Sequence, residues 1–371
     1  MKKTLLFLSG ISLLSNTIIG VGFFALPFVT SKVSYLIFFY FFVLGGIVFL
    51  IHLFYGRLAL ITPDYKRLPG FVEFYLGKKW FFFSVFIILF SLIGTLLSYL
   101  IVAGDFLNGI FPFLNPVFWT IIFFFFSLFL ILKEIDKILK IQTLSLFLLV
   151  FLLFFLIFQG RGMIGLENFV FPPKMDLWFL PYGIVVFSLW GTSIIPEIEE
   201  SLAKEMRKKL DLLIFFSFVF VIIFYLLFIY FVLGVLGQKT TENALIGLKG
   251  VFSPSSFKLI LFLGLIAVFT SFISLGLTLK RVLVFDLKIK EKSLFFFFLF
   301  LPFVLFLLGF QKFLPVISFV GSVFLAIEGL LILKMYQKIK KTKVYYLLFL
   351  FLIFGAFYQI FYFFKNYSII S

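Results

Sequence analysis

Ser15-Asn16-Thr17-Ile18-Ile19-Gly20-Val21-Gly22-Phe23-Phe24-Ala25-Leu26-Pro27 interrupts an apolar run that extends over about residues 4–31. It sets hydroxyl and amide side chains, two glycines and a proline in the middle of a segment otherwise apolar enough to cross a bilayer. About 20 residues suffice for a straight helix to span the hydrocarbon; this run is longer and suits two half-helices joined by an unwound link. A second stretch has the same character: Leu180-Pro181-Tyr182-Gly183-Ile184-Val185-Val186-Phe187-Ser188-Leu189-Trp190-Gly191-Thr192-Ser193-Ile194-Ile195-Pro196. Unpaired backbone at membrane depth is tolerated only where it lines a protein-enclosed or watery cavity, so two such breaks imply a polar site near the midplane. The competing use of these residues is close helix packing by small side chains.

The rest of the 371 residues agrees with a membrane environment. Apolar residues make up 63% and charged residues 13%, with mean hydropathy +1.24, which excludes a soluble domain and a disordered chain alike. Cysteine is absent and His52 is the single histidine, so disulfides, thiolate metal sites and imidazole clusters are excluded. The Phe runs Phe123 to Phe126 and Phe295 to Phe298 read as lipid-facing filler.

Apolar runs between charged or turn-rich breaks fall at about 4–31, 34–56, 80–104, 116–132, 138–158, 178–202, 210–236, 257–280, 293–310, 312–333 and 344–364. All are expected as helices, because backbone polar groups in lipid must pair within their own segment. The first run could be read as a signal peptide, but no small-residue cleavage site follows it, and a retained helix is expected. With the N-terminus in the cytoplasm, the outer basic residues are Lys32, Arg161, Lys174, Lys239, Lys249, Lys258, Lys312 and Lys365. All others of the 32, including Lys137, Lys288 and Lys290, fall inside, a three-to-one bias. This predicts a multi-pass protein of the cell membrane with its C-terminus outside, and the net charge of +16 is topological, not a nucleic-acid signal. The loop at 63–79, with Phe71, Val72, Phe74 and Tyr75 between charges, predicts a short amphipathic helix on the inner face. No short-period repeat is present. The breaks open segments 1 and 6, which enter from opposite sides, so a single domain over 1–371 divides into inverted five-helix units at about 4–158 and 178–333. The helix at about 344–364 is extra. This is the architecture expected of alternating-access carriers.

Asn16 to Pro27 resembles the first-helix G-x-G and Leu-Pro motif of amino acid permeases in the amino acid/polyamine/organocation superfamily, above all its amino acid/auxin and aromatic amino acid permease branches. The similarity continues through His52-Leu53-Phe54-Tyr55-Gly56, through Arg67-Leu68-Pro69-Gly70-Phe71-Val72-Glu73-Phe74-Tyr75-Leu76-Gly77, and from Leu180-Pro181-Tyr182-Gly183 to Pro196-Glu197. The segment plan is similar over the whole chain; the motifs cover mainly its first 110 residues and 178–209. The resemblance implies an all-α integral membrane protein with about eleven transmembrane helices, a LeuT-type 5+5 inverted repeat with helices 1 and 6 broken. Arg57 departs from the family pattern, where an acidic residue is expected, and this leaves a shared gating ion pair open.

The resemblance also implies roles. The outer half of the first helix begins just after Gly22, so its free N–H groups suit a substrate carboxylate, with Gly20, Val21 and Gly22 at the approach. The ammonium would meet carbonyls near Phe187, Ser188 and Trp190 and the Ser188 hydroxyl, with Phe187 or Trp190 forming the side-chain pocket. Tyr99, on the third helix, would cover the substrate, as an aromatic does in transporters of similar fold, or is an ordinary buried tyrosine. Thr270, Ser271 and Ser274, with carbonyls near Asn16 and Ile19, would hold Na⁺, or bond the preceding helix turn instead.

Among the carboxylates, Glu328 is the one well inside a span, six residues before Lys334 and so about 9 Å from that end. It carries a proton or reaches Lys334 or the watery interior. His52, near the inner end of the second segment, reads as an interfacial residue. Glu197, Glu199 and Glu200, with Lys204, Arg207, Lys208 and Lys209, form an inner-face charge cluster that either contributes to an intracellular gate or adds nothing measurable.

The expected function is secondary active transport of an amino acid, aromatic or otherwise neutral, coupled to Na⁺ or H⁺. The expected partners are the substrate and lipid, with no cofactor beyond the coupling ion. An intramembrane transferase needs more membrane-level acids and bases than Glu328 and His52 supply. A sensor or lipid-handling protein on the same fold remains the other alternative. No phosphate-binding loop marks an ATP-driven pump.

Overall fold

The computed structural model describes residues 2–63, 66–133, 138–202, 204–287 and 292–367. Lys137, Lys288 and Lys290 of the inner basic set, and the side chain of Phe295, lie outside the described residues. In chain order the helices are α1 (Lys2–Ile18), α2 (Leu26–Val33), α3 (Leu36–Ile61), α4 (Leu68–Leu76), α5 (Lys78–Ile110), α6 (Pro116–Leu132), α7 (Ile138–Gly160), α8 (Leu180–Leu189) and α9 (Ile195–Ser201). After them come α10 (Lys204–Arg207), α11 (Leu210–Leu236), α12 (Ala244–Gly247), α13 (Pro254–Arg281), α14 (Lys292–Leu307), α15 (Phe313–Phe319), α16 (Ala326–Ile339) and α17 (Val344–Tyr367). Among the described residues there is no strand.

Each expected apolar segment is occupied by a helix or by a broken set of helices. Among the described residues, seven helices are individually long and apolar enough to cross a membrane, and α1 with the helical stretch Val21–Val33 makes an eighth span, bent by 51° at the break. Pro116–Leu132 and Phe296–Leu307 are shorter apolar helices. The prolines in the two interruptions start helices and do not kink them. Pro27, Pro181 and Pro196 sit in the first turns of α2, α8 and α9, where the missing N–H costs no intrahelical bond. Between α15 and α16 the chain stays helical but widens into a π-helical stretch, Val320–Leu325.

α5 is the central post and packs against α4, α6, α13, α14, α15 and α16. α8 lies against α3, α15 and the π-helical stretch, and α1 lies against α7 and α11. The broken helices are therefore enclosed by protein, the condition under which irregular backbone survives at membrane depth. α4 forms inside the loop expected to hold an amphipathic helix, and its Leu68, Phe71 and Val72 are buried while Phe74 is exposed.

The Phe runs correct the reading of them as filler. Phe125 and Phe126 are exposed, but Phe123 and Phe124 are buried. Phe124 stacks on Phe303 at 4.5 Å between ring centroids, and Phe123 meets Phe272 edge-on at 5.4 Å. A run of identical residues on a helix wraps all its faces, so part of it must turn inward.

Candidate functional site

In the first break, α1 ends at Ile18, and the chain passes through Ile19 and extended Gly20 before a short 3₁₀ turn, Val21–Ala25. Glycine is required here by close approach. A Cβ on Gly20 would lie 2.3 Å from the Tyr99 hydroxyl, and one on Gly22 would lie 2.6 Å from Ser188 Oγ and 2.8 Å from Phe187 Cδ1. The Val21 N–H donates to the Tyr99 hydroxyl at 3.3 Å. The second break follows Leu189, where Trp190 turns extended and Gly191 leads into a 3₁₀ turn, Thr192–Ile194.

Two side chains that pattern reading did not place at the site tie these breaks down. The Tyr225 hydroxyl, on α11, lies 2.9 Å from the Ile18 carbonyl oxygen and 2.6 Å from that of Ser188, so its one proton serves the ends of both broken helices. His52 corrects the interfacial reading: it is fully buried. Its Nε2 accepts the Gly191 N–H at 3.0 Å while Nδ1 lies 2.7 Å from the Val48 carbonyl. That pairing assigns the proton to Nδ1. The reason is that α3 continues to Ile61, about 14 Å of helix beyond His52, where the apolar pattern ended sooner.

Between the breaks lies a cavity of about 70 Å³ lined by Gly20, Gly22, Tyr99, Phe187, Trp190 and Glu328, among others. The structure thus brings these six sequence-selected residues around one space. Val21 does not line it; its N–H is taken by the Tyr99 hydroxyl, which does. Ser188 lies behind the wall, its hydroxyl buried without a hydrogen-bond partner and its carbonyl engaged by Tyr225. A larger groove, of about 800 Å³, runs past Tyr35, Phe38 and Leu227; it is almost wholly apolar and no residue of either break lines it, so its size does not make it the site.

The ion-coupling candidates fall into separate groups. The Asn16 side chain is buried with neither of its polar ends hydrogen-bonded, and Ile19 is buried beside it. Thr270 donates toward Ser145 Oγ at 3.0 Å and the Ala267 carbonyl at 3.1 Å, which directs it at α7. Ser271 lies beside the Tyr99 hydroxyl, and the Ser274 carbonyl accepts the Thr278 hydroxyl at 3.1 Å. Glu328 is buried on α16 and accepts the Trp190 indole N–H at 3.2 Å. Among the described residues no three His, Cys, Asp or Glu side chains are grouped to hold a metal.

Toward the face carrying α4, ion pairs close the space under the cavity. Glu197 Oε1 lies 2.6 Å from Arg281 Nη1 and 3.6 Å from Arg67 Nη2, and Arg67 Nη1 lies 2.7 Å from Glu200 Oε1. Glu199 pairs with Arg207 at 3.0 Å. Arg57, the departure from the family pattern, pairs with Asp211 on α11 at 2.8 Å and donates to the Tyr336 hydroxyl at 3.3 Å.

A sequence profile described as amino acid permease matches residues 5–288. No curated protein matches the sequence. Among solved structures, two variants of the manganese transporter of Eremococcus coleocola, one with a histidine and one with a glutamate replaced by alanine, superpose with a TM-score of 0.67 at 14% identity. The same transporter in complex with an aromatic bis-isothiourea substituted compound gives 0.66 at 14%. Each alignment covers 96% of this chain and 86% of that chain. At this identity the likeness is one of fold, and the fold is the LeuT type with its first and sixth helices broken.

Proposed function

The chain belongs to the amino acid permease family, a multi-pass membrane transporter and not an enzyme, and from that premise we propose that it carries an amino acid across the cell membrane by alternating access. One observation carries the reading: both helix breaks, which a purely structural bundle has no use for, face one cavity whose walls at Gly20 and Gly22 are bare backbone. The substrate carboxylate sits at the start of Val21–Val33, where N–H groups lack partners within the helix. Phe187, Trp190 and Tyr99 enclose a neutral side chain. The repeats run over about 4–158 and 178–333, the N-terminus and α4 lie in the cytoplasm, and the C-terminus lies outside. Na⁺ or H⁺ drives accumulation. Manganese, named for the structural neighbour, is not carried over, because the described residues group no ligands for it.

The test is exchange of a pool of labelled amino acids in proteoliposomes under a Na⁺ gradient, a pH gradient, or neither. Saturable exchange is expected. Its absence from folded native protein would move the assignment to a non-transporting sensor on the same fold.

A further inference from the structure

Glu328 stands between two cavities. It lines the one between the helix breaks and also a smaller one of about 20 Å³ that reaches Arg67, Glu197 and Arg281. Ser193 is the one other residue common to both. About 10–15 Å³ of this kind of volume holds a water, so the smaller cavity has room for one.

No lysine or arginine among the described residues forms an ion pair with Glu328; the two arginines nearby are taken by Glu197 and Glu200. A buried carboxylate without a cationic partner is strongly disfavoured, so its charge calls for a mobile counter-ion. The Trp190 N–H, a donor, occupies one carboxylate oxygen, and Ser91 lies beside the group. A metal cation there would face the indole N–H in place of a further acceptor, and among the described residues no group of three His, Cys, Asp or Glu side chains offers it a site. A proton needs neither.

Resting on the carrier reading, we infer that the coupling ion is a proton and that Glu328 binds it. The carboxylate takes its proton from a hydronium ion when the break cavity is open and gives it to a water molecule in the smaller cavity, so one O–H bond breaks for each that forms and one proton moves per cycle. The charge reaches the sixth helix by two contacts. One is the Trp190 bond. The other is the crossing of the π-helical stretch with α8, where a Cβ on Gly321 would lie 2.0 Å from the Gly183 carbonyl oxygen. The titratable and charged groups facing Glu328 are Tyr99 from α5, Tyr55 from α3, Arg67 at the start of α4, Glu197 from α9 and Arg281 from α13. His52 lies across the Trp190 ring, 6.0 Å between centroids.

Two measurements test this. In nanodiscs, the pH-dependent part of the intrinsic tryptophan fluorescence is expected to vanish in Trp190→Phe and in Glu328→Gln. In proteoliposomes loaded with a labelled amino acid pool, Glu328→Gln is expected to lose accumulation driven by a pH gradient, down to the no-gradient control, by a larger factor than it loses exchange. Glu328→Asp, which keeps the titrating group, restores part of the response. A fluorescence titration that persists in Glu328→Gln overturns the proposal, as does accumulation by that variant under the pH gradient, or native protein driven by Na⁺ alone. Failure of the native protein to exchange any amino acid overturns the carrier reading itself, and the coupling with it.

Discussion

The backbone N–H of Gly191 donates to Nε2 of His52 across 3.0 Å of buried interior, so a side chain of the second span completes the unwound stretch of the sixth. Deleting the acceptor orphans a buried N–H, a loss of about 1–3 kcal/mol. His52→Leu is expected to lower the thermal unfolding midpoint in detergent, and His52→Gln, which restores an acceptor of similar reach, to recover part of it. Equal midpoints for the native protein and the leucine variant would show that the bond holds nothing.

This bond also marks where the sequence stops being legible. Hydropathy locates the segments, because lipid imposes one rule on every backbone. The clustered polar residues, glycines and prolines locate both breaks and with them Gly20, Gly22, Phe187 and Trp190 of the cavity wall, while Tyr99 comes from the resemblance and Glu328 from its place inside an apolar span. What pairs across helices follows no local pattern. Tyr225 is one of 15 tyrosines, set in a run of apolar residues, and only packing reveals that its hydroxyl meets the Ile18 and Ser188 carbonyls. Arg67 and Arg281 are far apart in the chain, and nothing near either announces that both meet Glu197. The inward turn of Phe123 and Phe124 is likewise a choice of helix face that four identical residues cannot encode.

Asp286 follows α13, beyond the span, with Oδ2 buried and unpaired. Burial pushes its carboxyl up to about 6, against the pull of Arg67 in the other direction. An acid whose folded-state value is raised favours the folded state while it is protonated, and that contribution is lost as pH climbs through about 6. The unfolding midpoint is therefore expected to fall between about pH 4 and pH 6, with a shallower fall in Asp286→Asn. A slope identical in the two proteins would assign the pH dependence to other groups.

Glu197 holds α9 to Arg67 and to Arg281 on α13. Each pair is partly exposed and individually worth little, but together they fix one half-helix to two neighbours on the face expected to be cytoplasmic. Loss of the shared carboxylate in Glu197→Gln is expected to favour opening on that side. The chain has no cysteine, so Ser193→Cys, at the junction of the two cavities, gives a clean probe. Its labelling by a membrane-impermeant thiol reagent from the α4 side should quicken in the Glu197→Gln background; an unchanged rate would mean that these pairs do not gate the cavity.

Gly20 and Tyr99 offer the sharpest test of the site, because one atom accounts for their conflict. A Cβ on Gly20 would meet the Tyr99 hydroxyl at 2.3 Å, while the ring carbon bearing that hydroxyl lies 3.5 Å away, an ordinary contact. Gly20→Ala alone must push the ring or the break aside, and exchange is expected to fall steeply. Tyr99→Phe alone removes the acceptor for the Val21 N–H and should weaken exchange less, since the ring stays in place and a single hydrogen bond is lost. Combined, the two changes no longer clash, so the double variant should exchange better than Gly20→Ala. Contacting residues are where such non-additivity is expected. If the losses simply add in the exchange assay, Tyr99 does not sit over Gly20 in the working protein, and the cavity between the breaks is not the substrate site.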